Sequence, residues 1–321
     1  MQHMQNTLEY DDVLLVPLLS SVNSRSDVDI SVRIGDTKLK FPLVASPMRD
    51  IVDNPFLQKL SDLGGMGFLH RFYTDVRRLR CDCAQMEGYN YGTSIKLNSK
   101  DYEWMLDYNP NAILIDIANG YISDLHKFVT EVKNYIVNRK YSTSLIAGCV
   151  AEGKGAMALE DSGADVIRVG IGNGSVCSTR NVTGVGVSSI TSIEECSFGV
   201  AEALIMADGG IKTSGDFVKA IGAGADFGMA GKLFSETYES PAETTIFGMA
   251  SRTNQEGLGK TVKSVEGFDI SVTKKHSLEM FMDEFGYGIK SAGTYLNART
   301  LDEIRNNAQF IRVTSSAIKR L

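Results

Sequence analysis

The densest run of chemistry-bearing residues is Val169-Gly170-Ile171-Gly172-Asn173-Gly174-Ser175-Val176-Cys177-Ser178-Thr179. Glycines at alternate positions free the backbone to fold closely round a ligand or an ion. The loop also presents a hydroxyl at Ser175 and a thiol at Cys177. A thiolate attacks an electrophilic carbon well and also leaves well, which makes Cys177 a candidate nucleophile. The competing reading is a buried, inert cysteine, the common state of that residue type. Downstream, Ala207-Asp208-Gly209-Gly210 and Met229-Ala230-Gly231-Lys232 each carry glycine just after an apolar run. Backbone N–H groups there, beside helix N-termini, suit a phosphate dianion. Asp208 suits the two hydroxyls of a ribose, although either motif taken alone also reads as a simple turn. Asp116, at the end of Ile113-Leu114-Ile115, fits catalysis, charge balance or capping equally well. The His70-Arg71 pair can meet charge on a substrate. Glu256 sits in a polar stretch and serves as an acid or base only if that stretch closes over a site.

Each of these residues follows a short apolar run, and the runs recur. Residues 43–46, 66–69, 92–97, 113–116, 144–147, 166–170, 204–207 and 227–230 make eight, most ending in Ser, Gly, Asp or His. Between them lie segments of helical length, such as 55–63, 122–137, 154–162 and 213–221. The last opens on the cap-like Thr213-Ser214 and closes on Gly222. Short buried strands alternating with helices imply a parallel sheet. A doubly wound sheet would want a glycine-rich turn after its first strand, but the chain continues there as Pro47-Met48-Arg49-Asp50. The glycines fall instead after strands six, seven and eight, where an α/β barrel opens its substrate face. The expected fold is therefore a (β/α)8 TIM barrel, with residues 1–321 as one catalytic domain. Residues 235–275 are polar and read as an active-site flap, with 251–263 its mobile part, before an amphipathic helix at 278–294.

Composition narrows the class further. Apolar residues make up 43% of the 321 and charged residues 22%, too apolar for a disordered chain. A net charge of −6 gives no basic field for nucleic acid or anionic lipid. No apolar run approaches the ~20 residues of a membrane span. Residues 1–6 lack the pattern of a secretory signal. Five scattered cysteines argue against a disulfide framework or a zinc site and point to a reducing cytoplasm.

Taken together, these segments resemble the family of inosine-monophosphate dehydrogenase and guanosine-monophosphate reductase. The resemblance runs from Leu8-Glu9-Tyr10-Asp11-Asp12-Val13-Leu14-Leu15-Val16-Pro17 and Ser24-Arg25-Ser26-Asp27 to Phe310-Ile311-Arg312-Val313-Thr314. It takes in Ala45-Ser46-Pro47-Met48, the Cys177 loop, Asp208-Gly209-Gly210 and Phe247-Gly248-Met249-Ala250-Ser251. The regulatory modules that dehydrogenases insert after the second strand have no room between Arg71 and Tyr91. Three features are similar to the reductase branch: Asp116-Ile117-Ala118-Asn119-Gly120-Tyr121, Cys177-Ser178-Thr179-Arg180 followed by Thr183-Gly184-Val185-Gly186, and Glu256-Gly257. Others depart from it. Arg49 replaces an aspartate, Cys149 an asparagine, His70-Arg71 is dehydrogenase-like, and the flap motif carries two extra residues.

The resemblance implies a homotetrameric enzyme of purine metabolism that converts GMP to IMP and ammonia with NADPH. Cys177 would form a covalent thioimidate at C2 of the purine, with Thr179 and Glu256 moving the proton and Asp116 and Arg71 supporting deamination. It assigns the phosphate to Ser175, Gly210, Gly231 and Lys232, the ribose to Asp208, and the base to Met249 and Ser251. Ser46, Met48, Gly209 and Gly248 complete the nucleotide site. Asp116, Ala118, Asn119, Thr179 and Arg180 are assigned to the cofactor, and the loop at Gly172, Gly174 and Cys177 to a monovalent cation such as K+. Two rivals share the fold: oxidation of IMP to XMP with NAD, and a catalytically silent nucleotide-binding relative. A modified purine nucleotide as substrate also stays open.

Overall fold

The computed structural model describes residues 7–259, 261–262 and 265–314. Residues 1–6, read above for a secretory signal, and Lys260, Lys263 and Ser264 of the flap stretch lie outside the described residues. Eight parallel strands close into a barrel. In chain order they are β1 (Leu43–Ala45), β2 (Gly67–Leu69), β3 (Tyr91–Ile95), β4 (Ala112–Ile115), β5 (Ser144–Val150), β6 (Val166–Val169), β7 (Leu204–Asp208) and β8 (Phe227–Ala230). The ring closes where β8 pairs with β1 through Met229 and Val44. Helices α1 (Asn54–Asp62), α2 (Val76–Gln85), α3 (Tyr102–Met105), α4 (Ser123–Arg139), α5 (Gly153–Asp161), α6 (Ser189–Gly199), α7 (Ser214–Gly222) and α8 (Leu278–Tyr295) follow the strands in turn. The expected (β/α)8 TIM barrel is the fold.

Alternation along each strand sorts the side chains into two cores, as a pleated strand requires. Val44, Phe68, Leu114, Ile146, Val166, Met206 and Met229 point into the barrel and form one buried cluster. Their neighbours Leu43, Leu69, Ile113, Leu145, Ile167 and Ile205 face the helices in another. A Cβ on Gly92 would come within 2.3 Å of the Phe68 ring, so the missing side chain on β3 makes room for the phenyl group. The bottom of the barrel is closed by an antiparallel hairpin, Val32–Ile34 with Thr37–Leu39, whose Ile34 and Leu39 join the inner cluster.

Thr213 does cap α7: its hydroxyl accepts from Asp216 N, and the Asp216 carboxylate accepts from Thr213 N, each at 3.1 Å. The helix ends at Gly222 with Ala223 as its C-cap, and the chain turns away at Gly224, which takes a left-handed φ of +115°. Within the 235–275 stretch, Lys274 Nζ ties the carbonyls of Ser235, Thr237 and Ser240 together. The flap proper is a hairpin, Thr245–Phe247 paired with Asp269–Ser271, that carries the short helix Arg252–Gly257. Among the described residues no helix is long and apolar enough to cross a membrane.

Candidate active site

Strand alternation continues past the apolar layers and dictates the floor of the barrel mouth. Counting by twos from Leu114, Val166 and Met206 arrives at Asp116, Arg168 and Asp208, so all three side chains point inward. Arg168 Nε donates to Asp208 Oδ2 at 2.8 Å and its Nη1 to Asp116 Oδ1 at 2.9 Å. Arg71, at the end of β2, donates from Nε to the other carboxylate oxygen of Asp116 at 2.9 Å. The result is an alternating chain, Arg71–Asp116–Arg168–Asp208, with two charges of each sign. Burial disfavours the Arg168 cation, but the Asp208 and Asp116 carboxylates outweigh it and hold its affinity for a proton above the ordinary arginine value. An unpaired charge here would be costly, whereas a hydrogen-bonded alternating set is tolerated.

The β6 loop supplies the reactive wall. Phe268 N donates to Val176 O at 3.1 Å and Ser178 N to Glu266 O at 2.9 Å, so the flap's returning strand is laid along the loop on both sides of Cys177. This register sets up a side-chain chain. Cys177 Sγ donates to Thr179 Oγ1 at 3.3 Å, and Thr179 Oγ1 donates to Glu266 Oε2 at 3.1 Å. A thiol, a hydroxyl and a carboxylate in series can pass a proton away from sulfur. Of the two thiols on the cavity wall, Cys149 is 6% exposed and pushed up to about 12 by burial, so it stays protonated at neutral pH. Cys177 is partly exposed.

Between these walls lies a cavity of about 330 Å³, within the size range of small-ligand sites. Its far end is lined by Ser175, Gly209, Gly210, Gly231 and Lys232, with Ser46 and Met48 beside them. Gly209 has a φ of +91°, and a Cβ there would lie 2.7 Å from Gly174 N. The strand-seven turn and the β6 loop therefore touch backbone to backbone, which brings two sets of N–H groups to one place. A larger hollow of about 720 Å³ lies at the opposite, N-terminal ends of the strands. In this fold that face serves stability rather than chemistry.

Most of the residues singled out in the sequence converge on this cavity: Cys177, Thr179, Asp116, Arg71, Asp208, Met249, Ala118, Gly172 and Gly174, besides those at its far end. Five do not line it. Glu256 sits on the flap helix with its side chain 59% exposed, 3.7 Å from Arg252. Arg180 turns back under the loop, donating to the Ile171 and Val187 carbonyls, Asn173 and Glu9. Asn119 accepts from Tyr121 N in a local turn. Ser251 caps the flap helix through Asn254 N, and Gly248 packs against Val176 O, where a Cβ would come within 2.7 Å. His70 brings no charge either. Burial, with help from Arg49 and Arg78, lowers it to about 4, and its neutral ring accepts from Phe72 N and stacks on Tyr73.

Two charged lining residues escape a reading of the sequence, Arg168 and Glu266. A signal for Arg168 is there to be found: one cation inside the apolar run Val166-Ile167-Arg168-Val169. Glu266 gives none, because only the pairing of the flap brings it to Thr179.

Comparison with known proteins agrees with this geometry. The family model described as the IMP dehydrogenase / GMP reductase domain matches residues 7–320. A protein of Oceanobacillus iheyensis named GMP reductase is 34% identical, over 94% of this chain and 95% of its own. GMP reductases of Bacillus cereus and Bacillus subtilis are 33% and 32% identical, each over 94% of this chain and 94% and 95% of their own. Similarity therefore runs along nearly the full length, and the chain belongs to the IMP dehydrogenase / GMP reductase family.

Proposed function

We propose that this protein is a cytoplasmic oxidoreductase, one catalytic domain per chain assembled as a homotetramer, that converts GMP to IMP and ammonia with NADPH. The observation that carries the reading is the Cys177–Thr179–Glu266 chain, which borders the same cavity as Asp208 and the glycine turns. The nucleotide phosphate is assigned to Ser175, Gly210, Gly231 and Lys232, and the ribose to Asp208. Cys177 sulfur bonds to C2 of the purine while its proton passes through Thr179 to Glu266. The same proton returns to the 2-amino group, the C–N bond breaks, and ammonia leaves a thioimidate on the enzyme. NADPH, when bound, supplies a hydride to C2. The carbon–sulfur bond then breaks, and Cys177 recovers a proton from solvent. Asp116 and Arg71 hold the mouth beside Ile117, Ala118 and Phe72, whose apolar surfaces suit a planar nicotinamide. Carbonyls of Gly172, Gly174 and Cys177 provide the hard oxygen donors that a monovalent cation such as K+ prefers, and Gly174 O already turns toward the loop by accepting from Cys177 N at 3.0 Å.

Purified protein mixed with NADPH and GMP should lose absorbance at 340 nm, and NADH should serve less well. A gain in absorbance with NAD and IMP, and none of the first activity, would make the protein a dehydrogenase instead. Binding without turnover of any purine monophosphate would make it a silent relative. Asp208→Ala should weaken GMP and IMP alike, by about 1.5–3 kcal/mol, the range for hydrogen bonds to a charged group. Calorimetric titration of both nucleotides checks this, and a loss confined to one of them contradicts the ribose contact.

A further inference from the structure

Among the described residues, Arg168 is the one in the cavity that touches both carboxylates of its floor. It lies on the inward face of β6, directly above the apolar layer that contains Val166, Met206 and Met229. Its side chain is 13% exposed, and the acids it joins come from two other strands: Asp116 just past β4 and Asp208 closing the adjacent β7. Separate nitrogens make the two bonds, at 2.9 and 2.8 Å. Only a planar guanidinium offers donors in such a fixed fork, and a lysine ammonium on a flexible stem cannot hold the same two acceptors in one geometry.

We infer that Arg168 is a positioning residue that sets the rotamer of Asp208 and thereby gives the site its preference for a ribose over a sugar without hydroxyls. This deepens the assignment of a ribonucleotide to the cavity and rests on it. With Asp208 Oδ2 held by Arg168, Oδ1 is the oxygen left to meet the sugar. Its direction is fixed because Arg168 is itself held by Asp116, which Arg71 grips from the other side. Four side chains from four strand ends thus behave as one rigid floor. Loss of the central member leaves Asp208 with no countercharge above an apolar layer, and its carboxylate turns away from the sugar to find water. A misplacement of about 1 Å in such a group can cost on the order of 100-fold.

The test compares binding of GMP with that of 2′,3′-dideoxy-GMP, measured by calorimetry on the full chain. The parent should favour GMP by roughly 10–100-fold, the value of hydrogen bonds to a charged acceptor. In Arg168→Met the preference should fall to about threefold or less, through weaker GMP binding, while the dideoxy compound binds within about threefold of the parent value. A merely structural role would weaken both compounds together and leave the ratio intact. Arg168→Lys keeps the charge and should retain an intermediate preference, and it carries the test if thermal melting shows Arg168→Met to be unfolded. An unchanged ratio in either folded variant, or a parent that binds both compounds alike, overturns the inference. Because the readout is binding, an absence of GMP turnover in the parent would tell against the proposed reaction and not against the role of Arg168.

Discussion

Cys177→Ala is expected to abolish reduction of GMP while leaving GMP and IMP binding within about tenfold of the parent, roughly 1.4 kcal/mol. The two effects separate because of where the thiol stands. It lines the cavity beside Thr179, whereas the turns at Gly209, Gly210 and Gly231 proposed for the phosphate, and Asp208 proposed for the ribose, belong to other strand ends. On the proposed mechanism, removing sulfur therefore removes the nucleophile and no contact to phosphate or sugar. Cys149 supplies the internal control. It is the other thiol of the same cavity, but burial pushes it up to about 12, so it offers almost no thiolate at neutral pH. Cys149→Ser should accordingly keep turnover. Absorbance at 340 nm gives the rates and calorimetry the affinities. If Cys177→Ala kept even a tenth of the parent rate, no covalent intermediate could lie on the main route.

The barrel is legible because its strands are short, buried on both faces and end in residues that strands dislike. The expected 204–207 and 227–230 lie within a residue of β7 and β8. Strand five is expected to end at 147. The chain instead continues through an irregular register between Gly148 and Val150, which lets the strand reach the cavity and present Cys149. The glycine turns and Cys177 are legible for a related reason: a loop that must approach a ligand closely needs residue types that stand out locally.

Long-range pairing is not legible. Arg168 meets its partners 52 and 40 positions away, and a charged residue in a strand ordinarily signals exposure. Only strand parity, applied to three strands at once, shows that Asp116, Arg168 and Asp208 share the interior. Arg180 is a case of the opposite kind. The resemblance assigns it to the cofactor, whereas its guanidinium donates to the Ile171 carbonyl and to Glu9, bonds that its sequence position does not announce.

The sharpest contrast is expected between two glutamates ten positions apart. The family resemblance favours Glu256, in a flap motif that carries two extra residues. In the hairpin, Phe247 pairs with Asp269, so the residues just before Asp269 return over the β6 loop while the helix Arg252–Gly257 swings outward. Glu266 thereby reaches Thr179 at 3.1 Å, and among the described residues Glu256 pairs with Arg252 at 3.7 Å. On the proposed mechanism Glu266→Gln removes the group that receives and returns the proton, and a general acid–base group typically contributes about 10²–10⁴-fold. Ammonia release from GMP should fall by that factor. The partial reverse reaction, in which IMP and NADP+ form the thioimidate and reduced cofactor, moves a hydride and needs no proton from Glu266, so its rate should stay close to the parent. Glu256→Gln should leave both steps within about twofold, since an exposed ion pair of this kind contributes little. Equal losses in both steps of Glu266→Gln would mean that the residue only fastens the flap to the loop. A selective loss in Glu256→Gln would mean that the flap re-registers on binding nucleotide and exchanges one acid for the other.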